Sequence, residues 1–76
     1  MDKMAVEGLV SAELLGAEAA NPPYVTPHQG YAVILEELDE LWDEVKVKRE
    51  NRSIDRMRRE AVQVAATAMR FAIDLT

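Results

Sequence analysis

The stretch "EELDELWDEVK", residues 36 to 46, carries six carboxylates in eleven positions, with Leu38, Leu41, Trp42 and Val45 threaded between them. Acids at that density either form a solvated face, here balanced by Lys46, Lys48 and Arg49, or converge on a divalent cation. Residues at i, i+3 and i+7 share one face of a helix. Glu37, Glu40 and Glu44 therefore stand in one strip beside the apolar stripe, and Glu36, Asp39 and Asp43 fall toward solvent. Further along, Glu60, Gln63 and Thr67 line up in the same way. Two such helices packed antiparallel bring Glu37 and Glu40 opposite Glu60 and Gln63. Carboxylates gathered near an apolar wall repel one another and raise their own pKa values unless a cation neutralises them. Magnesium accepts oxygen ligands, keeps several waters and serves phosphate-bearing substrates. Its Lewis acidity activates water against phosphorus.

Positioning these acids requires helices, and the chain has the signals for three. "MDKMAVEGLVSAELLGAEAA" spaces Met4, Leu9, Leu14 and Leu15 for a helix over about 4–19, which Gly8 and Gly16 weaken. "NPPYVTP" interrupts it, because Pro22 and Pro23 lack amide donors and push their predecessors into extended backbone. Thr26 as N-cap, Pro27 in the first turn and Gln29 three residues after the threonine start a second helix. Its apolar stripe of Tyr31, Ile34, Leu35, Leu38, Leu41, Trp42 and Val45 extends it to about residue 50, with Trp42 expected in the core. "NRS" breaks the pattern, and Ser53 caps a third helix over 53–75 with Asp55 in its first turn. That helix has two apolar faces: Met57, Ala61, Val64, Ala68, Phe71 and Leu75 on one, and Val62, Ala66, Met69 and Ile73 on the other. A lone hairpin cannot cover both, so either the first helix or a second subunit is expected against the extra face.

At 76 residues the chain is expected to be one all-α domain, 1–76, of marginal core size. The absence of cysteine removes disulfides, thiolate zinc sites and cysteine nucleophiles. A net charge of −5 argues against a nucleic-acid polymer as partner. With no membrane-length apolar run and no signal-peptide layout, the expectation is a soluble, cytoplasmic protein that does not enter a membrane. His28, the single histidine, sits in a helix first turn and reads as a surface residue more readily than as a general base. Lys48 and Arg56 share helix strips with the acids and are the expected phosphate contacts.

"HQGYAVILEELDELWDEVK" followed by "MRREAVQVAATAMRFAIDL" resembles the MazG-like, all-α nucleoside triphosphate pyrophosphohydrolases over residues 28–75. Those proteins show an ExxE motif on one helix and an ExxD motif on the next, with the acids on magnesium. The first motif reads here as Glu37-Leu-Asp-Glu40 and the second as Glu60-Ala-Val-Gln63. The resemblance implies a homodimer or tetramer built around a four-helix core. It also implies magnesium held by Glu37, Glu40, Glu60 and Gln63, and cleavage of a nucleoside triphosphate to the monophosphate and pyrophosphate. Gln63 stands where the family has aspartate; an amide oxygen can coordinate magnesium but brings no charge. The alternative is a catalytically silent helical dimerisation or partner-binding protein of the same fold.

Overall fold

Three side chains start the three helices of the computed structural model, which describes residues Met1–Thr76. Asp2 accepts from Ala5 N at 2.8 Å and opens α1 (Lys3–Ala20). The Thr26 hydroxyl accepts from Gln29 N at 3.1 Å ahead of α2 (Pro27–Val45). Ser53 accepts from Arg56 N at 3.1 Å ahead of α3 (Ile54–Leu75). Each oxygen satisfies an amide that the first turn leaves without a partner. Gln29 reaches back as the capping pattern requires, but one residue further, where its Oε1 accepts from Val25 N at 2.7 Å. The chain is all-α with no strand, and no helix is long and apolar enough to cross a membrane.

The expected boundaries hold closely except at the end of α2, which stops at Val45 rather than near residue 50. Val45 is the last member of the apolar period, and beyond it only Val47 can turn inward, half-buried. With nothing further to bury, the chain leaves the helix, passes Lys48 in extended backbone and makes a short 3₁₀ turn at Arg49–Asn51. Arg52 Nε closes the turn on Val47 O at 3.1 Å. Lys48 therefore lies off the helix, and the strip argument that paired it with Glu37 and Glu40 does not apply.

α3 is the central element. α1 and α2 each pack on it and make no packing contact with each other. On one side Val10 and Leu14 of α1 bury Val62 and Ala66, so the first helix covers the extra apolar face. The cover is partial, since Met69 and Ile73 remain 45% and 55% exposed. On the other side Met57, Val64, Phe71 and Leu75 are half-buried facing α2. Gly30 fixes how α2 sits there. A Cβ at this position would lie 2.6 Å from Phe71 Cδ2 and 3.0 Å from Leu75 Cδ1, so only glycine admits the ring. The strip of Gly30, Ile34, Glu37, Leu41 and Glu44 consequently turns inward. Tyr31, Leu35, Leu38 and Val45 turn outward, and so does Trp42, which is 59% exposed instead of lying in the core as its spacing had implied.

The connection between α1 and α2 is held by Arg70, only 4% exposed. Its Nη1 donates to Ala17 O at 3.2 Å and its Nη2 to Asn21 O at 2.8 Å and to Pro22 O, while Nε pairs with Asp74 at 3.3 Å. Tyr24 N donates to the same Asp74 oxygen at 3.0 Å, and the Tyr24 ring centroid lies 4.9 Å from the guanidinium carbon. The prolines cannot tie the linker down through their own amides; a buried cation does so through the carbonyls.

Two glycine substitutions should separate packing from helix propensity. Gly8 has nothing within 4 Å of a built Cβ, so Gly8→Ala should stabilise by about 0.5–1 kcal/mol. Gly30→Ala gains the same propensity but displaces Phe71, and overpacking of this kind costs about 1–3 kcal/mol. Urea denaturation should give shifts of opposite sign; equal stabilisation would mean that Gly30 does not set the dock.

Candidate metal centre

The inward turn of α2 brings the expected acids together. Glu37 and Glu40, one helical turn apart, meet Glu60 of α3, and one carboxylate oxygen from each lies within 4.8 Å of the other two. Glu37 and Glu60 are half-buried and Glu40 is exposed, so the cluster is open to solvent on one side. Gln63 closes the other side. Oriented as its neighbours demand, its Nε2 donates to Glu37 Oε2 at 2.8 Å and to Glu60 Oε2 at 3.1 Å. The amide nitrogen thus bridges two carboxylates.

The remaining acids of the stretch behave as a solvated face. Glu36, Asp39 and Asp43 are exposed, and Asp43 pairs with Lys46 at 3.0 Å. Glu44, one turn beyond Glu40, is held by Arg56 Nε at 2.8 Å, so this member of the strip already has a cation. Arg56 uses only Nε among its side-chain donors in that bond, and its terminal amino groups make no other hydrogen bond. Lys48 is exposed and forms no ion pair. His28 lies nine residues before Glu37 on α2, about 13 Å along the axis, and takes no part in the cluster.

Burial, first, and then the hydrogen bond and negative charge of Glu40, with Glu60 and Glu36 behind it, push the Glu37 carboxyl up to about 7. Burial and the charge of Glu40 raise Glu60 as well. Donation by the Gln63 amide favours the charged forms and opposes both shifts in part. Oxygen donors alone, with no nitrogen or sulfur, would suit a hard cation rather than a soft one. Two oxygens bound to one magnesium at about 2.1 Å stand at most about 4.2 Å apart. The 4.8 Å limit of the cluster is within a small side-chain rotation of that span.

Sequence spacing gave the meeting of Glu37, Glu40, Glu60 and Gln63 but missed Arg70, Asp74 and Tyr24, which border the same region. An arginine and an aspartate four residues apart in "AMRFAID", an otherwise apolar stretch of α3, were the available signal. Comparison with protein-family models, with curated proteins and with solved structures finds no match to this chain.

The raised Glu37 pKa has a definite sign. A carboxyl that binds its proton more tightly when folded adds stability below about pH 7 and loses it as the pH rises through that value. Without metal, the melting temperature should rise between about pH 8 and about pH 6, and Glu37→Gln should flatten the rise. Protons and cations compete for the same oxygens, so added magnesium should raise the melting temperature more at the higher pH. Equal pH profiles for wild type and Glu37→Gln would remove Glu37 from the cluster's energetics.

Proposed function

We propose that the chain is a magnesium-dependent nucleoside triphosphate pyrophosphohydrolase, yielding the monophosphate and pyrophosphate, that works as a homodimer or higher assembly. The observation that carries this reading is the convergence of Glu37, Glu40 and Glu60 across the α2–α3 contact, in the ExxE and Exx(Q) positions of a segment that resembles the MazG-like family. Glu37, Glu40 and Glu60 would hold the metal. Gln63, turned to offer its oxygen, would be a fourth, uncharged ligand. Bound there, magnesium would supply charge for the phosphates and an activated water. Arg56, steadied through Nε by Glu44, has its terminal amino groups free for a phosphate oxygen one turn from the cluster. Lys48, exposed on the turn after α2, would be the second phosphate contact.

Self-association is supported by surface. The chain exposes 5596 Å², whereas a compact monomer of 8.5 kDa exposes about 4,650 Å². The excess of about 900 Å² is close to what one partner buries in a standard interface, about 800 Å². Part of the exposed apolar surface forms a continuous stripe of Tyr31, Leu35, Leu38, Trp42 and Val45, which recur at alternating steps of four and three along α2. That is the spacing of a helix–helix seam. A second copy meeting this seam with its own would make the four-helix core.

One observation favours a catalytically silent binding protein of the same fold. The Gln63 amide already bridges Glu37 and Glu60 and so substitutes for part of a cation's charge. Turnover with magnesium, over a panel of ordinary and damaged nucleoside triphosphates, separates the two. An enzyme should release pyrophosphate, and Glu37→Gln should lower the rate at least about a hundredfold, since it removes a charge on which metal binding depends. Gln63→Asp should tighten magnesium and raise the rate if the missing charge limits activity. No turnover by wild type or Gln63→Asp, with magnesium bound to both, would leave the silent protein.

A further inference from the structure

Charge is divided unevenly along the chain. Seven of the nine lysines and arginines, but only two of the fourteen acids, fall within residues 46–59, so that segment carries a net +5 and the remainder −10. The fold gathers the segment into one tip, made by the end of α2, the 3₁₀ turn and the start of α3. Three of its cations have acidic partners within the chain: Lys46 with Asp43, Arg56 with Glu44 and Arg58 with Asp55. Lys48, Arg49, Arg52 and Arg59 have none, and all four are exposed. Arg58 and Arg59 also lie within the first two turns of α3, at the positive end of its dipole, where cations are unfavourable. Ile54, the first residue of α3, stands 68% exposed among these charges. Neither the surplus cations nor the isoleucine serves the isolated fold. We infer that this tip docks an acidic segment of another protein, one that carries an apolar side chain among its carboxylates. The inference does not rest on the metal cluster and holds for the enzyme and the silent protein alike.

The composition of the tip selects among anionic partners. Five of its seven cations are arginines. Protein interfaces are rich in arginine and poor in lysine, and the guanidinium fork matches a carboxylate through two parallel bonds. Arg52 is oriented by its Nε bond to Val47 O, which leaves its terminal amino groups for such a fork. Arg52 stands two residues before Ile54, and Arg58, one turn after it, shares its side of α3. An apolar centre with an arginine rim is the layout of a protein-binding patch. A nucleic acid fits less well. No aromatic residue lies between Trp42 and Phe71 to stack on a base, and a continuous phosphate backbone would run over Glu50 and Asp55, both exposed. A membrane surface fits less well too, because Ile54 is the one exposed large apolar side chain of the segment and a surface-bound helix needs a whole apolar face.

Synthetic peptides of equal length, titrated into the whole chain without magnesium or nucleotide, test the assignment. The first is built of glutamate and aspartate around a central pair of leucines. The second has serine in place of the leucines, and the third has glutamine and asparagine in place of the acids. Oligothymidylate of the same net charge and vesicles of phosphatidylglycerol in phosphatidylcholine represent a phosphate polymer and a membrane. Binding is read by backbone amide shifts, and for the vesicles by co-sedimentation. The acidic leucine peptide should bind, move the amides of Arg49, Arg52, Ile54 and Arg58, and weaken as salt rises from about 0.05 M to about 0.3 M. The serine peptide should bind about tenfold more weakly, and the uncharged one not at all. Arg49 makes no side-chain bond within the chain, so Arg49→Gln should weaken the first peptide about tenfold at an unchanged melting temperature, and Ile54→Ser should do the same. Three results on wild type alone overturn the proposal: no binding of the acidic leucine peptide at the lower salt, equal binding of the serine peptide, or shifts confined to residues outside the tip. Tighter binding of oligothymidylate or of the vesicles overturns it as well and assigns the tip to a phosphate-bearing surface.

Discussion

The contact of Phe71 with Gly30 decides how the rest of the chain is used. A ring that approaches within 2.6 Å of where a Cβ would stand can be admitted only at a glycine, so the rotation of α2 about its own axis is set there. That rotation points Glu37 and Glu44 toward α3 and points Leu35, Leu38 and Trp42 away from it. α2 therefore leaves two groups poorly served: half-buried carboxylates on its inner face and exposed large apolar side chains on its outer one. Burying a charge without a partner is costly, and so is leaving apolar surface in water. Glu44 has its partner in Arg56. Glu37 has only other acids and an amide, and the outward stripe has nothing within the chain. Under the proposed reading, a cation at the acids and a second helical surface at the stripe would resolve both deficits.

The two halves of the hairpin face differ in how strongly they specify their neighbours. α1 meets α3 through a four-residue core of Val10, Leu14, Val62 and Ala66, reinforced by Arg70 and its carbonyl partners. Full burial of an arginine is tolerated because every direction of its guanidinium ends in an oxygen or an aromatic face. This polar clasp holds the linker where the apolar core is too small to do so. It also keeps α1 away from α2, which leaves a trough between them over α3. Gln63 lies where these arrangements meet, lining the trough with its side chain while bridging Glu37 and Glu60. A carboxylate at that position would add a fourth negative charge to the cluster; the amide lowers the repulsion when no cation is bound, at some loss of attraction when one is.

Much of this was legible in the residues. Thr26 and Ser53 announced their helices through capping chemistry that depends only on local backbone, and the meeting of Glu37 and Glu40 with Glu60 and Gln63 followed from helical period and a short turn. The rotation of α2 was not legible, because its apolar residues cover so wide an arc that several orientations bury a similar amount. Gly30 broke that tie through a contact with a residue far along the chain. The same reason hid the exposure of Trp42. The helix end at Val45 escaped because Lys46 to Glu50 are individually good enough helix formers, and what failed was the lack of anything to bury. Arg70 and Asp74 escaped because their partners are carbonyls, which carry no residue-type signature.

Trp42, the only tryptophan and a member of the outward stripe, would report directly on whether a second surface covers it. The decisive measurement is its fluorescence emission and its quenching by acrylamide along a dilution series in magnesium, with the molar mass followed by light scattering. A chain completed by a second copy predicts blue-shifted, protected emission and at least twice the 8.5 kDa monomer mass at micromolar concentration, with both reverting together on dilution. Emission that is red-shifted and fully quenchable at every concentration, from a monomer that stays folded, would contradict it.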